Sequence, residues 1–106
     1  MPYSPSPTQP EPTAAVLQAL PGLTVVEFGT GWCPHCTGAQ AAIRSVLAPR
    51  ADIQHTKVED GPGRRLGRQF RVKLWPTLVL LRDGQEVARS VRPQGEADVQ
   101  SLLDAG

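Results

Sequence analysis

The sequence has almost no excess of charge and no long apolar run. Its 11 Lys and Arg residues nearly balance its 10 Asp and Glu residues, so the formal net charge of the 106-residue chain is +1. Without a basic excess, the composition speaks against a nucleic-acid partner and against charge-driven binding to a membrane. No apolar stretch approaches the roughly 18 to 20 residues of a membrane-spanning helix. These absences favour a single globular domain that binds neither nucleic acid nor membrane.

Cysteine and histidine are also scarce. The chain has two cysteines, Cys33 and Cys36, and two histidines, His35 and His55. Zinc requires more ligands at suitable spacing, and a haem attachment site requires His directly after the second Cys, where Thr37 stands. A structural disulfide across two intervening residues would constrain the unfolded chain little. The pair is therefore predicted to be reactive; an inert buried pair or half of a zinc site is the alternative.

Proline is plentiful but concentrated at the amino terminus. Every second or third residue of the segment 1–12 is Pro, which excludes a helix or a central strand there. We expect a disordered or extended tail over residues 1–12 and one domain over residues 13–106. The tail has neither the basic start nor the apolar core of a secretory signal, so a cytoplasmic protein is expected.

Hydrophobic periodicity and turn signals predict alternating helices and strands in the rest of the chain. Helices are predicted at residues 13–20, 33–47, 64–70 and 95–105, and strands at 23–28, 52–58, 77–82 and 85–91. Asp83-Gly84 is a strong hairpin signal between the last two strands. The order predicts an α/β fold with a small mixed four-stranded sheet, in which a parallel pair is joined to a C-terminal hairpin and helices cover both faces.

The two cysteines lie where the first strand gives way to the second helix. Unpaired N–H groups and a partial positive charge at a helix N-terminus stabilise a thiolate, which is the species that attacks disulfides. Cys33, at the helix start, is predicted to be the more exposed, attacking thiol. Cys36, one turn further in, is predicted to resolve the mixed disulfide and leave a Cys33–Cys36 disulfide.

Three motifs in this order resemble the thioredoxin family over about residues 14–105. They are the strand at residues 25–28 followed by Trp-Cys-Pro-His-Cys at 32–36, the Trp-Pro-Thr of residues 75–77, and the Asp-Gly hairpin at 83–84. The resemblance implies a thioredoxin-like fold and thiol–disulfide exchange with protein disulfides. It also implies a monomer with no bound cofactor beyond its own redox-active disulfide, re-reduced by a thioredoxin-reductase-type or glutathione electron donor.

The resemblance also assigns roles to two charged residues behind the cysteines. Glu27 interrupts an apolar strand at the position where thioredoxins hold a buried acid, so it is expected to shuttle the proton of Cys36 through a water. Lys57 matches the lysine partner of that acid in the family. A Glu27 side chain turned toward solvent is the alternative.

The remaining site residues surround the two sulfurs. Pro76 matches the cis-proline of the family, which leaves the backbone of Trp75 free to pair with an extended substrate. Trp32 and Pro34 are expected to flank the same docking groove. His35, as a hydrogen-bond donor or a cation, is expected to favour the Cys33 thiolate.

The dipeptide between the cysteines complicates the direction of the reaction. Pro-His resembles the periplasmic disulfide-forming oxidases of the superfamily, whereas the usual cytoplasmic reductases carry Gly-Pro. We expect net reduction by an unusually oxidising couple. The alternatives are a disulfide donor or isomerase, and a non-catalytic adaptor or metal carrier that uses Cys33 and Cys36 as ligands.

Overall fold

The computed structural model describes residues 3–106 and contains four helices and four strands within that range. In chain order these are α1 (Ala14–Gln18), β1 (Leu23–Gly29), α2 (Pro34–Leu47), β2 (Ile53–Glu59), α3 (Arg65–Gln69), β3 (Thr77–Arg82), β4 (Gln85–Val91) and α4 (Glu96–Asp104). Every predicted element is present, and the bounds differ from the predicted ones by a few residues at most. None of these helices is both long enough and apolar enough to cross a membrane.

The strands form one mixed sheet in the order β2-β1-β3-β4. β1 pairs with β2 in parallel and with β3 antiparallel, and β3 returns as β4 through the hairpin. β1 and β3 occupy the centre, where both faces are covered, which is why their sequences are nearly continuous apolar runs. This confirms the predicted parallel pair joined to a C-terminal hairpin.

Helices pack on both faces of the sheet and create two apolar clusters. One lies beneath α2 and α4 and includes Val25, Ile43, Leu80 and Val99. The other lies beneath α1 and α3 and includes Phe28. Because side chains alternate along β1, Glu27 points to the same side as Val25, toward α2.

The proline-rich segment lies against the edge of the sheet. From residue 3 onward it contains no helix or strand until Ala14, but the N–H of Thr8 donates to the carbonyl oxygen of Lys57 on β2 at 2.8 Å. The described part of this segment is therefore in contact with the domain.

Candidate active site

The first cysteine caps the helix that carries the second. Cys33 is the N-cap residue of α2, with extended backbone, and its Sγ accepts a hydrogen bond from the N–H of Cys36 at 3.4 Å. Pro34 occupies the first turn, where a missing N–H costs nothing. The arrangement aims an otherwise unpaired helix N–H at the Cys33 sulfur.

Both thiols are free, and both are buried. The exposed fraction is 5% for Cys33 and 4% for Cys36, so Cys33 is the more exposed thiol only by a margin too small to distinguish the two. The loop before β3 lies against the first sulfur, with the carbonyl oxygen of Trp75 4.0 Å from Cys33 Sγ. The two cysteines therefore differ in their electrostatic surroundings rather than in accessible surface.

The surroundings of Cys33 favour its thiolate. Burial acts to raise its pKa, but the N–H and thiol of Cys36, the N–H of His35 and the charge of Arg92 together hold it below the ordinary value. Hydrogen bonds to the charged form and a nearby cation are the two general ways to stabilise a thiolate. At neutral pH, Cys33 is therefore the better nucleophile of the pair.

The surroundings of Cys36 favour its protonated form. Burial is the largest cause and raises the pKa of this thiol to about 12, although the N–H of Thr30 acts in the opposite direction. Contact with Cys33 and the charge of Glu27 raise it further. Because Cys36 holds its proton near pH 7, it needs a base before it can attack the Cys33 sulfur.

The backbone of His35 contributes to the stabilisation of the Cys33 thiolate. Its side chain is exposed, while its N–H is among the groups that lower the pKa of Cys33. The helix start therefore supplies a stabilisation of the thiolate that does not depend on the imidazole.

Glu27 is the carboxylate whose charge acts on Cys36, and it is 1% exposed. His55 Nε2 lies 2.9 Å from Oε1, and Gln40 Nε2 donates to Oε2 at 2.7 Å. Lys57, the partner expected from the resemblance, forms a longer ion pair with Oε2 at 3.9 Å and also donates to Gln40 Oε1 at 2.9 Å. The hydrogen-bond partners of the buried acid are thus His55 and Gln40, and Lys57 is its cationic partner at longer range.

A cavity of about 200 Å³ connects the carboxylate to the second thiol. Glu27, Cys36, Gln40 and Lys57 all contribute to its wall. A water takes up about 30 Å³ in the liquid, so the cavity has room for a bridging water between donor and acceptor. The geometry therefore permits proton transfer from Cys36 to Glu27 through a water.

Gly29, the last residue of β1, must lack a side chain for Cys36 to occupy its observed position. A Cβ on Gly29 would lie 2.7 Å from Cys36 Sγ and 4.0 Å from Pro76 Cβ. The first distance is shorter than real Cβ contacts allow, so any side chain here would displace the thiol.

The loop before β3 forms the other wall of the site. The Trp75–Pro76 peptide bond is cis, and the Trp75 indole N–H donates to Asp60 Oδ2 at 2.9 Å. The Trp32 ring, 74% exposed, stands edge-on against Trp75 with ring centroids 5.6 Å apart. The two indoles form an aromatic ridge beside the thiols.

The backbone of Trp75 is less available than expected. Arg92 Nε donates to its carbonyl oxygen at 2.9 Å, and the N–H of Arg92 donates to the Pro76 carbonyl at 2.8 Å. Arg92 directly follows β4 and has a φ of 51°. This left-handed conformation turns the chain back toward the loop before β3. A docking substrate would meet a guanidinium at this carbonyl.

Sequence reasoning missed three residues of the site: Gln40, His55 and Arg92. Gln40 could have been found, since it follows Cys36 by one helical turn. His55 is two residues before Lys57 and therefore on the same face of β2. Nothing local distinguishes Arg92, which reaches the site only through the tertiary fold.

No group of three or more His, Cys, Asp or Glu side chains within residues 3–106 is arranged to hold a metal ion.

Comparisons with known proteins agree with this geometry. The Thioredoxin family model matches residues 8–105. The thioredoxin of Chlamydia trachomatis is 33% identical over 82 residues, which cover 77% of this chain and 78% of that protein. The structure of reduced thioredoxin 2 from Pseudomonas aeruginosa PAO1 superposes with a TM-score of 0.80 at 49% identity, covering 97% of this chain and all of the other. The protein Trxlp of Edwardsiella tarda superposes with a TM-score of 0.72 at 28% identity.

Proposed function

This chain belongs to the thioredoxin family and is a thiol–disulfide oxidoreductase, and we propose that it reduces protein disulfides with Cys33 as attacking thiolate, Cys36 as resolving thiol and Glu27 as proton acceptor. The observation that carries the proposal is the opposite direction of the two thiol pKa shifts, which are lowered at Cys33 and raised to about 12 at Cys36. Such an asymmetry separates a nucleophile from a thiol that waits for a base.

The first step uses the thiolate at the helix start. Cys33 Sγ attacks one sulfur of the substrate disulfide, the substrate S–S bond breaks, and one substrate thiolate leaves with the electron pair of that bond. The product is a mixed disulfide between Cys33 and the other substrate sulfur.

The second step needs a proton to move. Cys36 gives its proton through water in the cavity to Glu27, and its thiolate attacks Cys33 Sγ. The mixed disulfide breaks, the second substrate thiolate leaves and takes up a proton, and a Cys33–Cys36 disulfide forms. Two electrons have then passed from the protein to the substrate.

Substrate docking is assigned to the surface around the sulfurs. The Trp32–Trp75 ridge and the neighbouring Leu74, which is 47% exposed, offer apolar area to a protein partner. Pro34 and Pro76 border the sulfurs on either side. Arg92 adds a cation at the Trp75 carbonyl, which favours segments that present an acceptor there.

The proposed direction is net reduction by a cytoplasmic monomer, with two electrons resupplied by a thioredoxin-reductase-type enzyme or by glutathione. Membership of the thioredoxin family supports reduction. One observation favours the alternative of a disulfide donor or isomerase: a stabilised Cys33 thiolate stabilises the reduced form and makes the disulfide more oxidising.

The reduction potential of the Cys33–Cys36 couple is tested by equilibrating the purified protein with glutathione buffers. The fraction of protein in the disulfide form is measured by alkylation of the free thiols followed by mass spectrometry. We expect a more oxidising couple than the roughly −270 mV of an ordinary thioredoxin. A couple near that value would reject the oxidising part of the proposal. Insulin reduction compared with oxidation of a reduced protein substrate then decides the direction, since a donor is fast only in the second assay.

A further inference from the structure

The reaction described above leaves one buried titratable group unused. The His55 side chain is fully buried on β2, and its Nε2 lies 2.9 Å from Oε1 of Glu27. An imidazole beside a buried carboxylate affects both the orientation and the charge of that carboxylate. Its own protonation state therefore bears directly on Glu27.

The hydrogen bond at the other ring nitrogen, Nδ1, indicates which nitrogen of His55 carries the proton. The backbone N–H of Ser4 donates to Nδ1 at 2.8 Å. A ring nitrogen that accepts a hydrogen bond has no proton of its own, so the single proton of the ring is on Nε2. His55 is accordingly uncharged and donates to Glu27 Oε1.

Ser4 belongs to a short strap, defined as residues 3–5, that covers the outer side of this pair. The Tyr3 ring stacks on His55 with centroids 5.4 Å apart and an interplanar angle of 30°. The Lys57 ammonium donates to the Pro5 carbonyl oxygen at 3.3 Å. The strap thus contacts His55 and Lys57, two residues on the same face of β2.

The strap also reaches the second oxygen of the carboxylate. The Tyr3 hydroxyl donates to Gln40 Oε1 at 2.7 Å, and Gln40 Nε2 donates to Glu27 Oε2. Burial, followed by the charge of Glu27, raises the pKa of Tyr3, so the phenol keeps the proton that it donates. Both oxygens of Glu27 are therefore held by donors that are themselves fixed by the strap.

We propose that His55 is a positioning residue of the proton-transfer site, and that the strap at residues 3–5 keeps it in the uncharged form that donates from Nε2 to Glu27. The inference rests on the proposed role of Glu27 as proton acceptor. The hydrogen bond from His55 orients the Glu27 carboxylate, and a donor to a carboxylate favours its charged form, which is the form that can accept a proton. A second proton on Nδ1 would turn this neutral donor into a buried cation and strengthen the hold on the carboxylate, so that Glu27 would accept a proton less readily.

The other charged and titratable groups around the pair belong to three elements. Lys57 lies on β2, Tyr3 on the strap, and Arg44 on α2, with its guanidinium carbon 6.0 Å from the centre of the Tyr3 ring. The His55 variants leave all three in place, so a change at His55 can be read separately from theirs.

The tautomer is tested by nitrogen-15 NMR of the imidazole at pH 7. Ser4→Pro removes the donated N–H in a segment already rich in proline, and Ser6→Pro makes the same change at an exposed position outside the strap. We expect an acceptor-type Nδ1 and a protonated Nε2 in the wild type and in Ser6→Pro, and loss of that signature in Ser4→Pro. A wild-type proton on Nδ1, or an unchanged ring in Ser4→Pro, would overturn the role of the strap.

The positioning role is tested by the pH profile of the second step. His55→Phe removes the donor, whereas His55→Gln places an amide N–H near the position of Nε2. We expect His55→Phe to slow attack by Cys36 at pH 7 about tenfold and to move the rise of its rate to higher pH, with the first attack by Cys33 unchanged. His55→Gln should regain most of the rate.

A merely structural role predicts something else, namely equal losses on both steps, no displacement of the pH profile and no rescue by Gln. Thermal unfolding shows whether His55→Phe is folded, and Ser4→Pro carries the kinetic test if it is not. Glu27→Gln separates the two proposals. If it leaves the second step intact, the role of Glu27 itself fails. If it slows that step while both His55 variants and Ser4→Pro do not, only the present inference fails.

Discussion

The N–H of Cys36 points at the sulfur of Cys33 across 3.4 Å, so each cysteine modifies the other. The second residue of the pair stabilises the thiolate of the first, and the first raises the pKa of the second. One turn of helix therefore produces two thiols of opposite character.

Alkylation of the reduced protein should depend on pH differently at the two cysteines. Only the thiolate reacts, and the pKa is lowered at Cys33 and raised to about 12 at Cys36. Iodoacetamide at pH 7 should label Cys33 alone, and Cys36 should react only as the pH approaches 12. Fragment-ion mass spectrometry reads the position of the label. Protein unfolded in denaturant is the control, in which both sites should react alike; equal labelling of the folded protein at pH 7 would contradict the assignment.

Glu27→Gln should slow the second step more than the first. Loss of a general base costs about 100-fold or more, while Cys33 attack needs no proton acceptor. Stopped-flow measurement of mixed-disulfide formation and decay separates the steps, and equal losses on both would reject the shuttle role.

The same variant carries an internal check. The negative charge of Glu27 is one of the causes that raise the pKa of Cys36, so its removal should let Cys36 be alkylated at lower pH. If Cys36 in Glu27→Gln ionises at lower pH and still attacks the mixed disulfide more slowly, the variant has lost the proton acceptor of that step. A faster second step would mean that the charge alone had set the rate.

Arg92→Ala should weaken the nucleophile. The cation is one of the groups that hold the pKa of Cys33 down, so its removal should raise that pKa and reduce the thiolate fraction at pH 7. We expect the first attack to slow severalfold at pH 7 and to recover at higher pH. Arg89→Ala is a matched control, because Arg89 pairs with Glu86 and with the Phe70 carbonyl instead. Identical pH profiles for the two variants would contradict the role of Arg92.

Gly29→Ala should perturb the site by steric overlap alone. The new Cβ would lie 2.7 Å from Cys36 Sγ, and overpacking of this kind costs about 1–3 kcal/mol. We expect a lower melting temperature and a slower second step. Gly31→Ala, two residues further on in the loop that follows β1, has nothing within 4 Å of its added Cβ and should behave as the wild type. Wild-type stability and kinetics in Gly29→Ala would show that Cys36 can move aside freely.

Trp32→Ala should weaken the binding of protein disulfides and leave the reaction with small disulfides nearly unchanged. The ring is 74% exposed and packs edge-on against Trp75, so its loss removes docking area while the sulfurs and Glu27 keep their contacts. KM for a protein disulfide should rise, and the rate with a small aromatic disulfide should stay within about twofold. Trp32→Phe, which keeps an aromatic face, is the control. Equal losses with both kinds of substrate would place Trp32 in the chemistry instead.

Much of the fold could be predicted because its signals are local. Period-two and helical patterns, the Asp83-Gly84 turn and the Pro34 start of α2 are each encoded within a few residues. The placement of Cys33 and Cys36 at a helix start, and Glu27 inside a central strand, follows from the same local order. These features depend on neighbours in the chain and were therefore visible in the sequence.

The sequence by itself thus determined the order of helices and strands along the chain, the parallel pair with its C-terminal hairpin, and the dithiol at the helix start, and the family resemblance added the acid behind it. Only the tertiary structure decided which groups hold that acid, because hydrogen-bond partners of a buried carboxylate are chosen by proximity in space. His55 is 28 positions from Glu27, and Ser4 is 51 positions from His55. Arg92 meets Trp75 across 17 residues through a left-handed turn that no local pattern announces. Burial and packing bring these residues together, and that is why they completed the site only in the folded chain.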